Sequence, residues 1–207
     1  MKATGPRLKR VRSLGEEFAM AGDRTLAAKY AKLTRKQPPG MHGKKKGFGK
    51  ITGYGIQLKE KQKARTFYLL TEKQLRKYYD QASRQTTSTA TALLTAMERR
   101  LDNVIYRAGF ADSHSSARQF INHAHFSLNG HKVNIPSLQV HVGDEIAIRG
   151  RSQKLTDFLT ETAKGNHAVS WLKVDPSKLT VSITSLPVRE EIEVPFNEQL
   201  IIEFYSR

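Results

Sequence analysis

The chain of 207 residues contains no cysteine. Disulfides, thiolate-bound zinc and a cysteine nucleophile are thereby excluded, and a reducing cytosol is compatible with what remains. No apolar stretch approaches the roughly 18 to 20 residues that a membrane span needs. The first thirty residues also lack the compact apolar segment of a secretory signal, so a soluble, non-exported protein is expected. Acidic residues are scarce in one half only: residues 1 to 84 hold 22 Lys and Arg against 6 Asp and Glu, whereas residues 85 to 207 hold 13 against 13. No Ser/His/Asp set or pair of carboxylates stands out, which gives no support to an enzyme.

What is present is positive charge. The formal net charge of +16 calls for a polyanionic partner, with nucleic acid the first candidate. An anionic membrane surface would need a basic amphipathic helix, and residues 37–50 hold too many Gly and Pro to form one. The hydrophobic content of 38% suffices for one or two lean cores.

Along the chain, residues 1–50 combine cations with Gly5-Pro6, Pro38-Pro39-Gly40, Gly43, Gly47 and Gly49, which predicts a segment that stays extended or disordered until its partner neutralises it, with room for a short helix around Thr25 to Leu33. Helical periodicity begins at Glu60 with Ala64, Phe67 and Tyr68. Thr71-Glu72-Lys73-Gln74 then forms a capping box before Leu75, Tyr78, Tyr79 and Ala82. After a connector at Gln85 to Thr91, Leu94, Met97, Leu101, Val104, Ile105 and Ala108 predict one helix closed by Gly109 in the left-handed conformation. A further helix, capped by Ser113 or Ser115, carries Ala117, Phe120, Ile121 and Ala124. The opposite faces of the two helices should show Arg100, Asn103 and Arg107, then Arg118, Gln119, Asn122 and His123, all suited to phosphates and base edges.

Asn129-Gly130 between Phe126-Ser127-Leu128 and His131-Lys132-Val133 signals a type I′ hairpin. Alternating runs at Val140 and Val142 and at Ile146 and Ile148 flank Gly143-Asp144. A short helix at Leu155, Phe158 and Leu159 precedes a last hairpin, Trp171 to Val174 and Leu179 to Ile183, turned at Asp175-Pro176.

Several motif matches fail on chemistry. Lys46-Gly47-Phe48-Gly49 begins like an aromatic RNA-binding motif, but Lys50 stands where an aromatic is needed. Gly40 to Lys45 lacks the spacer and hydroxyl of a phosphate loop. Five of seven histidines lie between positions 114 and 141, yet no carboxylate or thiolate falls at ligand spacing beside His123 and His125, so no metal is expected. Glu190, Glu191 and Glu193 read as a solvated or partner-facing stretch. The clusters Arg7, Lys9, Arg10, Arg12, then Lys44, Lys45, Lys46, Lys50, then Lys59, Lys61, Lys63, Arg65, interleaved with glycines and Tyr54, read as RNA contacts.

Arg100-Leu101-Asp102-Asn103-Val104-Ile105-Tyr106-Arg107, Ser116-Ala117-Arg118-Gln119, Leu128-Asn129-Gly130 and Val142-Gly143-Asp144 resemble the small RNA-binding module first defined in ribosomal small-subunit protein four. The module also occurs in tyrosyl-tRNA synthetases, pseudouridine synthases and a heat-shock protein, so the flanks decide. Gln37 to Gly43, Tyr54 to Lys63 and Asn197 to Arg207 are similar to the ribosomal family itself, in its bacterial or organellar form, across essentially the whole chain.

That resemblance implies an α+β fold: a basic N-terminal extension over 1–46, a helical domain over 47–93 plus 189–207, and an inserted domain over 94–188 holding the module at about 98–148, two helices with a small, mainly antiparallel sheet. It implies a structural protein on the cytoplasmic or organellar ribosome, without cofactor, that binds a junction in the 5′ domain of 16S rRNA early and nucleates assembly of the subunit body. Implied neighbours are small-subunit protein five and the mRNA at its entrance, an interface tied to translational accuracy. Arg76, Lys77, Arg99 and His114 join the residues named above as rRNA-contact candidates, with Arg100, Arg107 and Arg118 weighted most because a guanidinium can grip a phosphate with two donors. Many relatives hold four zinc-binding cysteines near the N-terminus, and this chain departs from them. An RNA-modifying enzyme or a non-ribosomal RNA regulator are the rival readings, and residues 150 to 207 are too few for a catalytic domain.

Overall fold

The computed structural model describes residues 7–20, 24–43, 51–149, 169–175 and 177–207. Lys44, Lys45, Lys46 and Lys50, the match at 46–49 and the helix expected at Leu155 to Leu159 lie outside them. The chain divides into two compact units, Met1–Leu93 with Glu193–Arg207, and Leu94–Ile192.

In the first unit the N-terminal segment is not an extended arm. It forms α1 (Arg7–Leu14), α2 (Glu16–Met20) and α3 (Arg24–Ala31). Adjacent helices pack in pairs, α1 against α2 and α2 against α3, and bury Val11, Leu14, Phe18, Ala19, Leu26 and Tyr30. Each large apolar side chain so buried contributes about 1.5–3 kcal/mol. The apolar positions were visible in the sequence, but the surrounding cations and glycines masked their spacing.

α4 (Gly53–Phe67) starts earlier than its apolar pattern suggests, because the Thr52 hydroxyl caps it by accepting from the Gly55 amide. It ends in a left-handed residue, Leu69 at φ 51°. α5 (Glu72–Ala82) opens with the expected capping box, Thr71 and Gln74 exchanging side-chain to backbone hydrogen bonds. α6 (Thr89–Glu98) follows, and the C-terminal α9 (Glu198–Tyr205) returns to pack on α4 and α5. Three polar contacts tie α9 and its cap in: Gln57 Nε2 donates to Glu203 (3.0 Å), the Asn197 amide to Glu60 Oε2 (2.9 Å) and the Tyr205 hydroxyl to Glu72 Oε1 (2.7 Å). Aromatic pairs, Tyr79 with Tyr205 and Tyr54 with Phe204, close the seam.

The second unit sets α7 (Leu101–Arg107) and α8 (His114–Asn122) with five strands: β1 (Phe126–Leu128), β2 (His131–Val133), β3 (Glu145–Ile148), β4 (Leu172–Asp175) and β5 (Thr180–Ile183). The sheet is antiparallel throughout, in the order β2-β1-β3-β5-β4, so the α+β class holds. Phe126, Ile146, Val181 and Trp171 join Leu101, Val104, Ile105, Ala117 and Ile121 in one core. The β1–β2 turn has Asn129 at φ 49° and Gly130 at φ 81°, the two positive values a type I′ turn requires.

Two expectations fail. Residues 94–108 form two helices, not one, and 140–142 form no strand. Both have one cause. The backbone turns extended at Arg100 (φ −69°, ψ 138°), and the first amides of α7 donate to the 136–140 segment, Leu101 to Leu138 O (2.8 Å) and Asp102 to Pro136 O (3.1 Å). Val140 returns the bond to Arg99 O (2.9 Å). Val140, read as the start of a strand, is thus bonded to Arg99 directly after the segment that caps the helix start.

α7 and α8 both end in the motif where the amide two residues past the cap reaches back to the last turn: Phe110 to Ile105 O (3.1 Å), His125 to Phe120 O (3.2 Å). The left-handed position is Gly109 (φ 82°) in the first, as expected, but Ala124 (φ 57°) in the second, which the periodicity had placed inside the helix. Left-handed backbone costs a residue with a Cβ roughly 1 kcal/mol relative to Gly. Gly109→Ala should therefore lower, and Ala124→Gly raise, stability by about that amount in urea denaturation.

Glu72 supplies a pH dependence. Burial pushes its carboxyl up, but the hydrogen bonds from Tyr205 and Lys61 and the charges of Lys61 and Arg65 outweigh this and hold it below the ordinary value of 4.5. Its stabilisation is complete above that value and lost as pH falls through the depressed one. The urea midpoint of the wild type should therefore drop more steeply on acidification below pH 4.5 than that of Glu72→Gln.

Candidate nucleic-acid interface

The break between α6 and α7 concentrates charge. Arg100 is fully buried, its Nε donating to Asp102 Oδ1 (3.0 Å) and its Nη2 to Asp102 Oδ2 (2.6 Å). Asp102 Oδ1 also accepts from the Asn103 amide (3.0 Å). Asn103 is buried as well, and its side-chain amide donates to Glu98 O (3.1 Å) and Glu98 Oε2. Since that NH2 is committed, Asn103 Oδ1 accepts, and His114 Nε2 at 3.0 Å carries the hydrogen. The His114 ring lies over Tyr106, centroids 4.1 Å apart. Glu98 in turn grips Arg107 with both oxygens, at 3.1 Å to Nε and 2.9 Å to Nη2.

This corrects the reading of an open face at Arg100 and Asn103: both are core groups, at 0% and 1% exposure, as is His114 at 2%. Two helical turns of polar residues look solvent-facing by spacing alone, but here they neutralise one another inside. Arg107 stays partly exposed while held by Glu98. Arg99, half-buried, donates through Nε to Val140 O (2.9 Å).

The outer side of α8 is different. Ser113, not Ser115, caps it, and Ala117, Ile121 and His114 face inward. Gln119, Asn122 and His123 are exposed and Arg118 is a quarter exposed. Arg118 Nη1 lies 3.8 Å from Asp102 Oδ2, near enough to be oriented but too far for a hydrogen bond. The β1–β2 hairpin continues from this helix with His131 and Lys132 exposed. At the helix end, Arg149 donates to Ala124 O (3.3 Å) and to His125 O through its amide (2.8 Å), a cation at a helix C-terminus. His123 and His125 stack 5.9 Å apart. Burial, with the charge of His123, holds His125 below its ordinary 6.5, so it is neutral at pH 7. Sequence reasoning missed Lys132, His131 and Arg149, although the hairpin signal between 126 and 133 marked the place for the first two.

In the first unit the basic cluster at 59–65 is largely internal. Lys61 is buried, bound to Glu72 (3.0 Å) and over the Phe204 ring at 4.3 Å. Lys63 binds Glu60 (2.6 Å) and Arg65 binds Glu72 (3.2 Å). Lys59 is half-buried and Tyr54 half exposed. Arg76 and Lys77 stand exposed on α5, opposite Leu75, Tyr78 and Ala82. On α1, Lys9 is exposed, Arg7 and Arg10 are half-buried, and Arg12 donates from Nε to Gln37 O (2.9 Å).

Two family models divide the chain: "Ribosomal protein S4/S9 N-terminal domain" matches residues 2–98 and "S4 domain" matches residues 99–146. Among similar proteins, small ribosomal subunit protein uS4 of Acidobacterium capsulatum is 45% identical over 206 residues, covering 99% of this chain and 98% of that protein. The protein of the same name from Syntrophomonas wolfei is 47% identical over 195 residues, 93% of each. The chain belongs to the uS4 family. Its module boundary at residue 99 coincides with the break between α6 and α7. A thiolate zinc site of the kind the family resemblance suggests does not fit this chain, since it has no cysteine.

Breaking the buried pair should be costly, because removing one partner strands the other charge in the core. Asp102→Asn is expected to destabilise by about 3–5 kcal/mol, while Gln119→Ala on the same module changes little, both read from denaturant unfolding.

Proposed function

We propose that this protein is a structural component of the small ribosomal subunit that binds 16S rRNA, docking on a junction in its 5′ domain and nucleating assembly of the subunit body. Membership of a structural ribosomal family supports the non-enzymatic reading and a working location on the ribosome. The observation that carries RNA contact is the outer side of α8, where Arg118, Gln119, Asn122 and His123 stand together on a helix whose other side is fixed by the buried network. A rigid donor array suits RNA, whose A-form helices hide base edges in a deep, narrow groove and are read by phosphates, 2′-hydroxyls and shape. Preorganisation matters because ordering long side chains at an interface costs about 0.5–1.5 kcal/mol each. Glu98 and Asp102 remove part of that cost by holding Arg107 and orienting Arg118.

On this reading Lys9, Arg76, Lys77 and Lys132 add phosphate contacts, and Lys44, Lys45, Lys46 and Lys50 add charge from the sequence beside them. Arg100, Asn103 and His114 act as scaffold. Contacts with small-subunit protein five and with mRNA at its entrance, and through them decoding accuracy, follow from the family resemblance.

The test is a salt titration of binding to the 5′ domain of 16S rRNA against an unrelated structured RNA of equal length. Selective binding is expected, weakening steeply with salt through counterion release. Arg118→Ala should weaken it and reduce the salt slope by about one, more so with Arg107→Ala. Equal affinity for both RNAs would sink the proposal and favour a general RNA-binding regulator.

A further inference from the structure

Between α1 and the segment 33–43 lies a cleft of about 1120 Å³. Lys9, Arg12, Arg35 and Lys36 line it, and none of its thirteen lining residues is a carboxylate. The cleft is built by particular contacts. Arg12 Nε donates to Gln37 O (2.9 Å) and ties α1 to the opposite wall, while Lys36 is steadied over the Tyr30 ring at 5.8 Å. The wall turns at Gly40 (φ 104°), whose carbonyl accepts from the Gly43 amide (3.1 Å). At Gly43 a Cβ would sit 1.9 Å from Pro38 O, so glycine is required there for the wall to close. Pro39 and a 93% exposed Met41 add apolar surface to the same cleft.

Uniform positive charge with flat apolar surface fits a ligand that is anionic along one edge and apolar along the other. The volume is near the upper end of small-ligand sites, roughly 300–1,000 Å³, which admits a nucleotide or two but not a duplex. The geometry points to this cleft as a seat for an unpaired segment of RNA, its phosphates on Lys9, Arg12, Arg35 and Lys36 and a base against Pro39 and Met41. The inference rests on the rRNA reading and makes it specific: the N-terminal lobe takes a single-stranded stretch, whereas α8 meets structured RNA. Arg35 and Lys36 enter as binding residues that their place in the sequence did not mark.

The experiment uses the full chain and compares Lys9→Ala/Arg35→Ala, both exposed positions, with Lys173→Ala/Lys178→Ala, an equal loss of exposed charge in the second unit and outside the residues that line the cleft. Two probes are titrated by anisotropy: a labelled single-stranded hexauridylate with its duplex form as comparator, and the 5′ domain of 16S rRNA. Support is a wild type that prefers the single strand, a cleft variant at least about tenfold weaker for it with the salt slope for the 5′ domain reduced by about two, and an unaffected control. If both variants lose binding equally, or the duplex binds as well as the single strand, the cleft is not such a seat, even with 5′-domain selectivity intact. If hexauridylate behaves as expected but the 5′ domain is not preferred over unrelated RNA, the cleft stands and the ribosomal reading fails.

Discussion

The buried pairing of Arg100 with Asp102 is the constraint on which the second unit depends. A guanidinium with no exposed surface is tolerable only when a carboxylate meets it with two short hydrogen bonds. That meeting requires the backbone to leave the helix at Arg100 and re-enter it at Leu101. From this follow the division of α6 from α7, the use of residues 136–140 as capping partners, and the exclusion of Val140 from the sheet. The same carboxylate lies 3.8 Å from Arg118, so the core pair also sets the attitude of a surface arginine.

Charge in this chain therefore does two kinds of work, and residue type does not separate them. Lys61 and Arg65 tie α4 to α5 through Glu72, Lys63 pairs with Glu60 within α4, and Arg100 pairs with Asp102 at the start of α7. Lys9, Arg76, Lys77 and Lys132 stand exposed. Glu60 and Glu72 are taken up in these pairs together with the three cations Lys61, Lys63 and Arg65, so the cluster at 59–65 leaves less positive charge free for a partner than its sequence suggests.

The N-terminal lobe has no cysteine and buries Val11, Leu14, Phe18, Leu26 and Tyr30. Apolar burial is non-directional and needs only rough complementarity, which is why it can hold three short helices together without the fixed donor geometry of a metal site.

Local signals were legible wherever a single residue type answers a backbone demand: the Thr71–Gln74 capping box, Gly109 at a helix end, Asn129-Gly130 in the hairpin, and the apolar stripes of α5 and α8. The sequence by itself also determined the family, through motifs spread along nearly its full length, and the need for a polyanion, through net charge. What only the tertiary structure decided is which polar residues face outward. Arg100 and Arg118 look alike in sequence, yet one is sealed in the core and the other reaches the surface, because burial of a charge depends on a partner's position in space and not on its spacing along the chain.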